Sequence, residues 1–207
     1  MPTTHEVTTA TTLPGALRRR PKRADALRNY EALLAAARQA FATDGTEASL
    51  EDIARRANVG IGTLYRHFPT RRDLFEGVYV NEVEALCRAA ADLQGAPPWE
   101  ALVTWLRRFV RYTATKRAII EELAKQSPLF KGCRSEIVAA GEPLLARAQA
   151  TGEVRTDINF DDLLRLFGGI TMQPFSEPEQ LERVLGMAID GLHPRGEHPG
   201  GSTAGRD

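Results

Sequence analysis

The sequence predicts an all-α protein of about nine helices in two parts, and three observations predict it. Apolar residues return at helical spacing through most of residues 18–192. Strict apolar–polar alternation never persists, and no Asn-Gly or Asp-Gly turn joins two runs rich in β-branched residues. The breaks are Gly and Pro sites: Asp44-Gly45, Pro69, Gly95-Ala96-Pro97-Pro98, Ser127-Pro128, Thr151-Gly152 and Pro174.

The first helix is expected from about Asp25 to Thr43. Tyr30, Leu33, Leu34, Ala37 and Phe41 fall on one face, and Asp44-Gly45 ends it. Ser49 opens a second helix, with Asp52 three residues on in a capping-box pattern and Leu50, Ile53, Ala54 and Ala57 as its apolar face. After the turn Asn58-Val59-Gly60 comes a two-turn helix, about Ile61 to Phe68, closed by Pro69. Thr70 and Asp73 repeat the capping-box pattern and open a long helix, about Arg71 to Leu93. Five more helices are expected near Trp99–Thr115, Lys116–Lys125, Gly132–Ala150, Phe160–Met172 and Glu177–Leu192. The Thr-rich residues 1–17 and the Gly/Pro-rich residues 193–207 lack periodicity and read as disordered.

Of 207 residues, 43% are hydrophobic and 26% charged, an ordinary globular mixture long enough to bury a core. No apolar run approaches membrane-spanning length, and the N-terminus lacks the basic start and apolar stretch of a signal peptide. A cytoplasmic protein without membrane contact is therefore expected. Cys87 and Cys133 read as two reduced thiols on helices, the alternative being a redox-sensing pair; no His or Cys spacing flanks them, so no metal or other cofactor is expected. The net charge of zero hides an asymmetry: residues 1–80 carry 12 basic and 9 acidic side chains. Arg18, Arg19, Arg20, Lys22, Arg23 and Arg28 crowd into eleven residues opposed only by Asp25. Such an arm suits a phosphate backbone or a minor groove; the other reading is a solvated tail.

The segment SLEDIARRANVGIGTLYRHFPTRRDLF, residues 49–75, carries the chemistry. A helix that enters a major groove must be short, must stand proud of its domain, and must pin its inner face while exposing its outer one. Leu64 and Phe68, with Val59 before them, can pin the inner face. Gly62, Thr63, Tyr65, Arg66 and His67 are left outside, and Gly62 removes bulk where base edges would approach. Ser49 could meet a phosphate with its hydroxyl and first-turn amides. For Tyr65 the alternative is packing against the first helix; for His67 it is an ordinary surface contact.

This segment closely resembles the DNA-binding motif of the TetR family of repressors. The matching residues are Asp52-Ile53-Ala54, Val59, Gly62-Thr63-Leu64-Tyr65-Arg66-His67-Phe68-Pro69 and Leu74-Phe75. The resemblance implies that Ile61, Gly62, Thr63 and Tyr65 face bases. It implies that Tyr65, His67 and Arg71 hold phosphates, and that Arg66 serves one or the other. Ile61 departs from the family, where that position is often polar. It cannot donate a hydrogen bond, though it could touch a thymine methyl.

The resemblance further implies a one-component regulator, most often a repressor. Such a regulator binds a (pseudo)palindromic operator as a homodimer and is released by a small ligand; the aromatic bias of the second half suits an apolar one. Residues 18–75 would be the helix-turn-helix domain, with its motif at 49–68, and residues 76–192 the ligand-binding and dimerisation domain. Residues 152–170 look like a segment that in part of the family leads into two dimer helices. Leu163, Leu164, Leu166, Phe167, Ile170, Leu181, Val184, Leu185, Ala188 and Ile189 form their apolar faces. A dimer interface is expected through Leu163, Leu166, Phe167, Leu181, Val184, Leu185, Ala188 and Ile189; the alternative is burial within one subunit. Trp105, Phe109, Tyr112, Phe130, Phe167, Met172 and Phe175 are the candidate pocket, or else plain core. A regulator that binds DNA without a ligand fits the same residues. A helical-bundle enzyme or carrier fits poorly. The pairs Glu121-Glu122 and Asp161-Asp162 each point to different helix faces, and His5, His67, His193 and His198 all lie outside the bundle.

Overall fold

The structure is a computed structural model that describes residues 20–120, 128–172 and 175–194, without the side chains of residues 46, 114–120, 128, 130, 131 and 178. Arg18, Arg19, most of both tails and half of the expected Lys116–Lys125 helix lie outside the described residues, as does the side chain of Phe130. Within them the protein is all-helical: α1 (Ala24–Asp44), α2 (Leu50–Arg56), α3 (Ile61–His67), α4 (Arg71–Asp92), α5 (Pro98–Ile120), α6 (Pro128–Ala150), α7 (Phe160–Ile170) and α8 (Pro178–Asp190). The helices expected at Trp99–Thr115 and from Lys116 are one, because no Gly or Pro separates them and the helix runs on to Ile120. Likewise α6 starts at Pro128, since proline is at home in a first helical turn, rather than at Gly132.

The chain divides into two compact units, residues 1–87 with 114–137 and residues 88–113 with 138–207. In the first unit α1 buries Tyr30, Leu33, Leu34, Ala37 and Phe41, the face the spacing predicts, and adds Ala36 and Ala40. Phe41 stacks on Phe75 of α4 with ring centroids 4.0 Å apart. Gly45 ends α1 at φ 55°, where its N–H donates to Phe41 O; an L side chain would be strained in that left-handed turn. Thr70 and Asp73 cap α4 reciprocally: the Asp73 N–H donates to Thr70 Oγ1 at 3.1 Å, and the Thr70 N–H to Asp73 Oδ2 at 3.0 Å.

The second unit has its core at Trp105, Leu106, Phe109, Leu144, Phe160, Leu163 and Phe167, each 5% exposed or less. Gly141 of α6 makes room for two of these rings. A Cβ there would run into the Phe160 ring and come within 2.9 Å of Trp105 Cη2. Arg147 donates to the carbonyls of Leu93 and Ala96, at 3.4 and 2.8 Å, and so satisfies a helix end and the loop after it. Asn159 and Asp162 form a full capping box on α7, a start signal the sequence carries beside the expected Phe160.

Candidate nucleic-acid interface

Helix α2 is capped as its sequence predicts, but from one side only. Ser49 Oγ accepts from the Asp52 N–H at 3.3 Å. The Asp52 carboxylate turns instead to Arg55 and to Arg56 Nε, the latter at 2.6 Å. The Ser49 hydroxyl donates to Glu51 Oε2 at 3.0 Å, so it reaches a phosphate only by leaving that carboxylate. The turn after α2 closes as a Schellman motif. The Val59 N–H donates to Ala54 O and the Asn58 N–H to Arg55 O, both at 3.0 Å, with Asn58 at φ 55°. Asparagine tolerates this left-handed position better than most residues, so the turn between α2 and α3 is set by local chemistry.

Helix α3 separates its two faces sharply. Leu64 is 1% exposed and Phe68, its C-cap, 3%. The Phe68 ring stacks on Tyr30 of α1 at 5.1 Å and lies over Gly77 of α4, where a Cβ would stand 2.7 Å from Phe68 Cε1. Gly77 is a packing position beneath the end of α3 that sequence reasoning missed; an isolated glycine inside a long helix was the available signal. On the other face Gly62 and Arg66 are exposed, Ile61 is 38% exposed and Tyr65 46%. Tyr65 is therefore not buried against the domain. Nothing lies within 4 Å of a Cβ built on Gly62. Thr63 and His67 are half-buried, so the expected outer set is narrower than the spacing suggested. The His67 ring meets Tyr30 edge-on at 5.8 Å, and desolvation there lowers its pKa.

Around the helix-turn-helix, Lys22 is exposed and Arg71 half-buried, with its guanidinium carbon 5.5 Å from the centre of the Phe75 ring. Arg20 is engaged on the domain itself. It binds Glu31 at 2.6 Å and comes within 3.8 Å of Glu84; the hydrogen bond to Glu31 raises its pKa further.

In the second unit the candidate pocket rings mostly fill one another. Trp105 stacks on Phe109 at 5.6 Å and Phe109 tilts against Tyr112 at 5.8 Å, while Phe167 is wholly buried. Met172 is 65% exposed and Phe175 half-buried, so neither belongs to that cluster's dry interior. Of the expected interface residues, Leu163, Phe167, Leu185 and Ile189 turn into their own core, 6% exposed or less. Helical periodicity marks an apolar stripe but does not say which edge of it faces inward. Leu181, Val184 and Ala188 are half-buried, Leu166 is 48% exposed, and Met187, absent from the expected set, is 73% exposed. In the first unit Cys87 and Cys133 form no disulfide and line one crevice of about 60 Å³, where the Cys87 thiol donates to Glu136 O at 3.6 Å. Among the described residues no helix is long and apolar enough to cross a membrane.

Three N-terminal helices with a short, two-faced third helix, followed by a helical second unit, define a helix-turn-helix regulator. Residues 33–78 match the family model described as bacterial regulatory proteins, tetR family. Residues 97–194 match that of the C-terminal domain of SbtR-like transcriptional regulators. A crystal structure of a TetR transcriptional regulator from Streptomyces coelicolor is similar with a TM-score of 0.71 at 40% identity, covering 81% of this chain and 99% of that one. A TetR regulatory protein from Mycobacterium vanbaalenii is similar with a TM-score of 0.68 at 33% identity, covering 84% and 99%. The HTH-type transcriptional regulator UidR of Escherichia coli is 25% identical over 167 residues, 75% of this chain and 85% of that protein. The chain belongs to the TetR family of transcriptional regulators.

Proposed function

We propose that this regulator is a repressor that binds a (pseudo)palindromic operator as a homodimer and leaves it when a small apolar ligand binds. Residues 18–75 read the DNA, and residues 76–192 hold the ligand and the partner subunit. The observation that carries the reading is the two-faced α3: Leu64 and Phe68 are locked inside, while Ile61, Gly62, Tyr65 and Arg66 stand outside on a turn fixed by Asn58. A helix held that rigidly can present base-reading atoms without ordering cost at the moment of binding. Thr63, His67, Ser49, Lys22 and Arg71 flank it as phosphate or base contacts, with Arg20 joining once it leaves Glu31. Arg18 and Arg19 would extend the same arm.

Dimerisation is supported by the outward apolar edge of α7 and α8, Leu166, Leu181, Val184, Met187 and Ala188, which suits a four-helix bundle between two subunits. The ligand reading is supported by the rings of Trp105, Phe109 and Tyr112, packed in series, and by the buried Phe167 of the same unit. The Thr171 hydroxyl bonded to Thr113 Oγ1 at 2.9 Å adds a polar group next to Tyr112 in the chain. Because these rings pack on one another, a ligand admitted there must part them, and its differential affinity for the two packings is what weakens DNA binding.

The test is selection of bound fragments from the genomic DNA of the source organism. Enrichment of a palindrome with two half-sites is the expected result; recovery of fragments sharing no palindrome overturns the operator reading. Binding of the enriched operator is then measured with an apolar compound library. If no compound changes it, the protein is a regulator without a ligand.

A further inference from the structure

We infer that Ile61, standing beside Tyr65 on the outer face of α3, selects a thymine methyl group, so that each operator half-site carries an A·T pair where α3 enters the groove. The inference deepens the operator reading and rests on it. Ile61 is the first residue of α3, and Tyr65 stands one turn later on the same outer face, 38% and 46% exposed. Between them Gly62 leaves open space around its α-carbon, so no described atom crowds the helix face between the two side chains. The opposite face is fixed by Leu64 and Phe68, so α3 cannot roll to hide Ile61 when it docks.

The major-groove edges of the base pairs then decide what Ile61 can cover. A G·C pair offers two acceptors on guanine and a donor on cytosine, and no apolar group. Pressing an isoleucine against it strips water from those groups and returns no hydrogen bond. An A·T pair offers the C5-methyl of thymine, which gains from the same burial. A single exposed isoleucine on a protein surface needs no explanation. Here it occupies the leading position of a recognition helix whose other exposed side chains can hydrogen-bond, so its chemistry becomes selectivity.

The experiment uses the full-length protein and the palindrome recovered by selection. Each thymine of a half-site is replaced in turn, symmetrically, by deoxyuridine, which deletes only the methyl. Affinity is read by fluorescence anisotropy. At one thymine per half-site the replacement is expected to weaken binding about fourfold, or about fifteenfold across the symmetric pair. Ile61→Ala should bind the thymine and deoxyuridine operators equally at that position, whereas Ile61→Val should retain most of the discrimination. Circular dichroism of both variants should match the unaltered protein, since Ile61 is not core. Deoxyuridine replacements that all stay within twofold overturn the inference while operator binding stands. So does an Ile61→Ala protein that still discriminates. Failure of the unaltered protein to enrich any palindrome removes the operator reading and this inference together.

Discussion

Two glycines in the DNA-reading unit make opposite demands. At Gly77 a Cβ would stand 2.7 Å from Phe68 Cε1 and 3.3 Å from Leu34 Cδ2, so the side chain that anchors the end of α3 has to move. Gly77→Ala is expected to cost about 1–3 kcal/mol of stability by overpacking and to weaken operator binding through the displaced anchor. At Gly62 nothing is in the way, so Gly62→Ala should add about 0.5–1 kcal/mol of helix stability while still lowering operator affinity, because its methyl meets the bases. Thermal melts beside anisotropy titrations separate the two; a Gly62→Ala protein that gains stability and binds as well as the original would show that α3 stands clear of the base edges there. His67 gives a pH prediction. Its folded pKa is depressed below the ordinary 6.5 by desolvation, so the folded state disfavours the proton that the unfolded chain accepts. Its contribution is fully present above that value and is lost as pH falls through it toward the folded pKa. Urea midpoints from pH 7.5 down to 5 should drop less steeply for His67→Gln than for the unaltered protein.

At the scale of elements, the helices were legible where an apolar face coincided with a cap or a breaker. The Asp44-Gly45 stop, the Asn58-Val59-Gly60 turn and the Thr70–Asp73 capping box all formed, because each depends on chemistry within four residues. The Lys116 boundary did not, since no breaker stands behind it. Inside versus outside was legible on α3, where only Leu64 and Phe68 are large and apolar on one side. It was not legible on α7 and α8, whose stripes are wider than one contact. Leu163, Phe167, Leu185 and Ile189 are consumed by their own core, and Leu166 and Met187 are left outward. From this comes an element-scale prediction. Leu166→Glu with Met187→Glu should convert a dimer to a monomer in sedimentation velocity while leaving helicity and melting cooperative. Leu163→Ala should instead cost about 2–5 kcal/mol of folding stability, as a buried leucine truncation does. A double variant that remains a dimer would move the interface off this edge.

At the scale of the whole molecule, the net charge is zero, yet residues 1–80 hold an excess of 12 basic over 9 acidic side chains. A monomer bearing one α3 would bind DNA through a single short contact and that modest excess, which gives little preference for one site over the rest of a genome. In the proposed dimer, selectivity would come from two recognition helices held at a fixed separation by the subunit contact, each in its own half-site on one side of the duplex. The duplex repeats about every 10.5 base pairs, so inserting about five between the half-sites turns one of them to the far side. The proposed dimer can then seat only one α3 unless it or the DNA is twisted, which costs deformation energy. Titrations at physiological salt should show this insertion reducing affinity toward the non-specific level, a loss on the order of a thousandfold. Inserting about ten restores the side but adds roughly 34 Å of separation, and should fail as well because the subunit contact does not stretch. Equal affinity at all three spacings would mean that half-sites are read one at a time and that the subunit contact does no measuring.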